Sequence, residues 1–341
     1  MRRLSLHRVI DFVHDEHSHD CSHSHAGAGE IVTSEIRVGT SGWSYPGGRG
    51  TWNGVFYPSR RARGFDELSY YAEHFDIVEV NSSFYRMPDQ AQTRRWVERT
   101  PAGFLFAVKL FQKFTHPDMY LARDGVRDWN VSAGDVDQFR RGIDPLAVMG
   151  RLSALLVQFP PSFHAQSETR AYLDWLLEGL REYPLAVELR HRSWSDAAED
   201  TAARLATQKA TWVVIDEPKF RDSIASGPAE AGAGPTEVGR YVRLHGRNAA
   251  QWWDHAASED RYNYLYTRAE LAPFAERAKR VAASGRRVQM FLNNHFSAKA
   301  VANAAILKHL LDQPVPGEYP REIVERYPEL VDVLPPSGLP L

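Results

Sequence analysis

From residue 36 onward, apolar runs of strand length recur eight times, each closing on polar or charged residues and most followed by a stretch with helical spacing. The runs are Ile36 to Gly39, Ile77 to Asn81, Phe104 to Lys109, Leu152 to Gln158, Leu185 to Arg190, Trp212 to Asp216, Tyr241 to His245 and Val288 to Asn293. Between them the spacing predicts helices over 66–75, 89–99, 167–182, 196–208, 269–284 and 297–312. In the first of these Asp66 is the expected N-cap, with Leu68, Tyr71 and Phe75 on one face. Alternating strands and helices imply βα units on a parallel sheet, because a parallel return needs a crossover. Eight such units predict an α/β fold of the TIM (β/α)8 type, a closed parallel eight-stranded barrel. No Gly-x-Gly-x-x-Gly follows any of the runs, which argues against a doubly wound dinucleotide-binding sheet.

Three segments break the rhythm. Residues 1–34 hold His7, His14, His17, His19, His23 and His25 among acidic residues and end near Ala-Gly-Ala-Gly, too polar to build a core. A disordered extension is expected there, with weak metal chelation by His and Cys21 as the sharper alternative. Residues 110–151 are long enough for extra structure over the barrel mouth, and residues 217–239 are rich in Gly, Ala and Pro, from which mobility is expected. The expected organisation is thus an extension (1–34), a barrel (35–312) and a tail packing on or trailing from it (313–341).

Composition narrows the setting. The 341 residues are 43% hydrophobic, enough for a sizeable core, and the formal net charge of -2 with a pI near 6.7 favours no polyanionic partner. Cys21 has no second cysteine to pair with, and no apolar run approaches the roughly 20 residues of a membrane span. Arg2 and Arg3 are not followed by the apolar stretch of a secretory signal, so a cytoplasmic location is expected.

The runs also carry recognisable strings. Gly39-Thr-Ser-Gly-Trp-Ser-Tyr45, Val55-Phe-Tyr-Pro58, Tyr70-Tyr-Ala72, Val78-Glu-Val-Asn-Ser-Ser-Phe-Tyr85 and Phe106-Ala-Val-Lys109 with Thr115-His116 come first. Gln158-Phe-Pro-Pro161, Val187-Glu-Leu-Arg190 with Ser193-Trp194, Tyr241-Val-Arg-Leu-His-Gly246, and Asn293-Asn-His295 with Ala302-Asn-Ala304 follow. In this order, over residues 36–312, the chain resembles the DUF72 (YecE-like) family. The resemblance implies a TIM barrel and leaves the activity unassigned. Residues 46–53 form a longer bridge than many members carry, and the His-rich head is extra.

Alternation along a strand puts Glu79 with Asn81, Glu188 with Arg190, and Arg243 with His245 on shared faces. These groups, with Lys109, Gln158, Asp216, Asn293 and Asn294, fall at the C-terminal ends of their strands, where such barrels build sites. Glu79, Lys109, Glu188, Asp216 and His245 are the candidate catalytic residues. Thr40, Ser41, Trp43, Tyr45, Asn81, Tyr85, Gln158, Arg190, Trp194, Arg243, Arg247, Asn293, Asn294 and Lys299 are the candidate binding residues. The structural alternative is a salt-bridge network that fills the barrel top. Three carboxylates balanced by three cations suit a polar organic molecule better than a bound metal, so no metal or cofactor is expected. Arg247, Lys299 and the start of the last helix, with Ser297 as its cap, suggest an anion site; the alternative is a plain helix cap. The leading reading is an enzyme of hydrolase, lyase or isomerase type on a small polar, phosphorylated or sugar-containing molecule, with Glu79 or Glu188 as acid or base. A nucleic-acid-binding or processing barrel, with rings stacking on bases, and a non-catalytic ligand-binding barrel are the other readings. Neither a Gly-x-Ser-x-Gly elbow nor a Walker loop is present, which disfavours those chemistries. Oligomeric state has no signature in the sequence.

Overall fold

The computed structural model describes residues 35–123, 125–126, 128–225 and 236–334. The His-rich extension with Cys21, and residues 226–235 of the Gly/Ala/Pro-rich connection, lie outside the described residues. Nine parallel strands form one sheet: β1 (Ile36–Ser41), β2 (Ile77–Val80), β3 (Leu105–Lys109), β4 (Leu152–Gln158), β5 (Leu185–Glu188), β6 (Ala210–Trp212), β7 (Val214–Asp216), β8 (Arg240–Leu244) and β9 (Val288–Leu292). Their order is β6-β5-β4-β3-β2-β1-β9-β8-β7. The two outermost strands are consecutive in the chain, separated only by Val213, so the sheet curls into a nearly closed barrel. The run expected as one strand, Trp212 to Asp216, is therefore two short strands that serve opposite neighbours. β6 pairs with β5, and β7 with β8.

Helices cover the outside of the barrel. Glu67–His74, Gln90–Glu98, Ser167–Glu178, Ala198–Thr207 and Lys299–Leu310 lie within the stretches where helical spacing occurs, and Arg268–Ala283 begins one residue before its stretch. Asp66 caps the first of these, accepting a hydrogen bond from the Ser69 amide at 2.8 Å. The 110–151 connection carries Gln112–Thr115, Pro117–Leu121 and Ala133–Val148. After the last barrel helix the chain returns, and Tyr319, Ile323, Tyr327 and Leu330 are buried in the same core as the barrel.

Register decides which residues share the interior. Ser41 lies beside Glu79, Gln158 beside Glu188, and Ile215 beside Arg243. Neighbours in a parallel pair face the same way, so these form one layer inside the barrel near the strands' C-terminal ends. β1 and β2 approach closely at Gly39, where a Cβ would lie 2.2 Å from the Ile77 carbonyl oxygen. That atom is backbone and cannot swing aside. Gly39→Ala is expected to destabilise the fold by at least the roughly 1–3 kcal/mol of ordinary overpacking; an unchanged midpoint in urea denaturation would contradict this packing.

Candidate functional site

The interior layer is held by one guanidinium. Arg243, on β8, donates from Nε to Glu79 Oε2 at 2.8 Å and from Nη2 to Glu79 Oε1 at 2.6 Å. Its third nitrogen, Nη1, reaches Glu188 Oε2 at 2.6 Å. All three side chains are almost fully buried, so strands β2, β5 and β8 are cross-linked through the barrel axis. The Tyr241 hydroxyl adds a bond to Glu79 Oε2 at 2.7 Å. Glu188 Oε1 accepts from Arg190 Nε at 2.7 Å. Burial alone would raise the Glu188 carboxyl, but the Arg243 and Arg190 guanidiniums overcome it and hold this group well below the usual carboxylate range.

Three neutral imidazoles surround this core. Burial pushes His245 down to about 3, with Arg190 and Arg243 also opposing its protonation, although Glu188 lies 3.6 Å from its Nε2. Asn293 Nδ2 lies 2.8 Å from its Nδ1 and orients the ring. His116 is likewise pushed to about 3 by burial and by Lys109; its Nδ1 meets Thr115 Oγ1 at 2.8 Å, and Gln158 Nε2 lies 3.4 Å from its Nε2. His295 falls to about 4 by burial and stacks on Tyr45, with centroids 4.4 Å apart.

Lys109 differs from every other charge in the layer. It has no ion pair among the described residues, and its ammonium sits 4.0 Å from the centroid of the Phe84 ring. Burial, then the Arg243 guanidinium, push it down to about 7, so it titrates near neutrality. Glu217, one residue beyond β7, is buried beside Arg190, whose Nη1 is 3.6 Å from its Oε2; that oxygen has no hydrogen-bond partner. Burial raises its carboxyl above the ordinary value. Around Tyr45 three further buried polar atoms lack partners: Ser41 Oγ, Asn81 Oδ1 and His295 Nδ1.

Other candidates lie elsewhere. Asp216 points away from the axis, taking two bonds from Arg247 at 2.8 and 2.9 Å and one from the Tyr266 hydroxyl at 2.7 Å. Lys299 is bonded to Asn263 Oδ1. Ser297 does not cap the last helix: it has a φ of 50°, and Ala298 takes the cap position without a side-chain bond. The groups from which an anion site is expected are thus engaged with protein partners. Thr40 faces outward to the Tyr71 hydroxyl, 2.9 Å from its amide and 3.0 Å from its Oγ1. Trp194 is fully buried and donates to the Phe163 carbonyl at 2.8 Å, while Asn294 donates to the Tyr264 carbonyl and to Asn303. Trp43 packs edge-on against Trp96, and Tyr85 projects into solvent beside Phe84. Sequence reasoning passed over Glu217, His116, Tyr241 and His295. For Glu217 the signal was alternation from Ile215, usable only once β7 is registered against β8.

Of the cavities among the described residues, two open at opposite ends of the barrel. The larger, about 700 Å³, lies at the strands' N-terminal ends near Arg37, Gly103 and Gln289. The smaller, about 440 Å³, lies at the C-terminal ends and is floored by Arg190 and Glu217. Of the charged layer, Arg190 and Glu217 line the second, and it lies at the end of the barrel where sites are built, which makes it the candidate site.

Fold and site together define a parallel α/β barrel with a buried charged layer beneath a pocket at its C-terminal mouth. Residues 37–323 match the family described as "Protein of unknown function DUF72", and the chain belongs to that family. It is 28% identical over 295 residues to the UPF0759 protein YunF of Bacillus subtilis, covering 84% of this chain and 99% of that protein. The UPF0759 protein YecE of Escherichia coli K12 is 27% identical over 165 residues, 48% of this chain and 52% of that one. A crystal structure of a DUF72 family protein from Thermotoga maritima superposes with a TM-score of 0.66 at 34% identity, over 82% of this chain and 100% of that one. One from Enterococcus faecalis gives 0.68 at 24% identity, over 82% and 96%, and speaks to the fold alone.

Removing one member of a buried ion cluster strands the others in low dielectric. Arg243→Met is therefore expected to cost about 3–5 kcal/mol in urea unfolding, and near-native stability would refute the cross-link. His245, His116 and His295 bind protons in the unfolded chain below about pH 6.5 but resist them when folded. The unfolded state then holds more protons, so stability should fall as pH drops from 6.5 towards 4, by roughly 1.4 kcal/mol per pH unit for each imidazole. A urea midpoint that stays flat between pH 6.5 and 5 would exclude buried neutral imidazoles.

Proposed function

We propose that this protein is an enzyme that carries out acid–base chemistry on a small polar organic molecule at the C-terminal mouth of the barrel. The observation that carries this reading is Lys109, the cation of the interior layer that forms no ion pair with a carboxylate among the described residues. Glu79 and Glu188 are tied to Arg243, and an acid or base must be free to exchange its proton. Lys109 is therefore the base. An amine near pH 7 exists in both protonation states under physiological conditions, which suits proton abstraction or addition to a carbonyl. Glu217, with a raised carboxyl at the pocket floor, is the complementary acid, and Arg190 stabilises negative charge that develops beside it. Ser41, Asn81 and His295 supply unpartnered polar atoms for orienting a substrate. A hydrolase, lyase or isomerase follows from such a set.

This reading includes the architecture. Val213 donates its N–H to the Val187 carbonyl at 2.9 Å, continuing the ladder between the fifth and sixth strands through the break. We read β6 and β7 as one interrupted strand, which makes the barrel an eight-stranded (β/α)8 type.

Lys109→Met tests the assignment without a known substrate. The wild-type amine resists protonation when folded, so between about pH 7 and 10 the unfolded chain binds the extra proton and folding is penalised. The methionine variant should be more stable than wild type below pH 7, and the gain should shrink towards pH 10, at about 1.4 kcal/mol per unit of depression. Turnover of any substrate found should be lost in the variant and show a limb near pH 7 in the wild type. A stability difference independent of pH would remove Lys109 from the role.

A further inference from the structure

The pocket at the barrel mouth has a wall that the charged layer does not explain. Trp253 is 61% exposed, an unusual state for the largest apolar side chain, and it is braced by Phe220 with ring centroids 5.7 Å apart. Trp252 beside it is buried and holds the loop, meeting Tyr262 edge-on at 6.2 Å. His164 and His191 form another part of the lining, stacked at 3.8 Å between centroids. At the floor lies the Glu217 carboxylate, buried and with one oxygen lacking any hydrogen bond. One cavity of about 440 Å³ is thus lined by both an open indole and a buried carboxyl group, an apolar plane and an unsatisfied acceptor.

We propose that this pocket binds a hydroxylated ring, a monosaccharide or one residue of a short saccharide, with a C–H face of the sugar on Trp253 and a ring hydroxyl donating to Glu217. A sugar presents both surfaces at once: axial C–H groups that match an aromatic face, and hydroxyls that donate to a carboxylate. Arg190 is shared between Glu188 and Glu217, and the Arg247 fork is taken by Asp216, so neither of these guanidiniums is open to a phosphate ester. The cavity volume accommodates one or two sugar rings. The inference rests on the acid–base reading of the same site and names the substrate class for it.

Saturation-transfer NMR on the full chain with glucose, galactose, mannose, N-acetylglucosamine and glucuronate, and with adenosine as a planar comparison, tests the proposal. At least one sugar should bind saturably, and Trp253→Ala should weaken it by about tenfold or more, as loss of a stacked ring does. Trp253→Phe should recover part of the loss, and Glu217→Gln should weaken binding by several-fold while leaving the melting temperature near wild type. Absence of saturable binding by every sugar would overturn the inference. So would sugar binding indifferent to both Trp253→Ala and Glu217→Gln, or binding of adenosine alone through Trp253. Lys109→Met separates this from the function itself: sugar binding can fail while the pH signature of Lys109 persists, or survive while that signature is absent.

Discussion

Arg243 is the constraint on which the rest depends. A guanidinium buried in the barrel axis is tolerable only if its donors are met in a fixed fork, and Glu79 and Glu188 meet them from two other strands. The geometry leaves little slack. Each carboxylate fixes the register of its strand against β8, because a slip of one residue would turn it out of the interior. The same cluster sets the electrostatics of the mouth: it ties Glu79 and Glu188 to Arg243, and it is this pairing that led us to propose Lys109 and Glu217 for proton exchange.

Electrostatic strain is concentrated where the barrel opens. Burial holds three imidazoles neutral, depresses an amine and raises a carboxyl within one layer. Each of these is a cost to folding, since a purely structural layer could be filled with apolar side chains of similar volume at less expense. The orphaned atoms around Tyr45 add to that cost. The concentration lies at the C-terminal ends of the strands, where the loops diverge.

Much of this was legible in the chain because strand alternation is a local property. It put Glu79, Glu188, Arg190, Arg243 and His245 on faces that the structure does bring together. Pairing is a non-local property, and what depended on it was missed. Asp216 and Glu217 are neighbours, and only the alignment of Ile215 with Arg243 reveals that Glu217 turns inward. The split at Val213 has the same origin, since its two halves answer to different partners. Trp194 reads as a mouth aromatic from its place after β5, yet its indole is spent on the Phe163 carbonyl. Ser297 has a capping residue's chemistry but the left-handed backbone of a kink.

The chain order of the central cluster has a consequence for how the barrel comes together. Glu79 and Glu188 precede Arg243 by 164 and 55 positions. An N-terminal portion of the chain that ends between β5 and β8 therefore carries both acids, with Arg190 beside Glu188, but lacks the guanidinium that meets Glu79, and a collapsed half-barrel would bury that carboxylate without its fork. Such a fragment gains more by staying open to water. The ion cluster thus works against burying Glu79 before the eighth strand is in place.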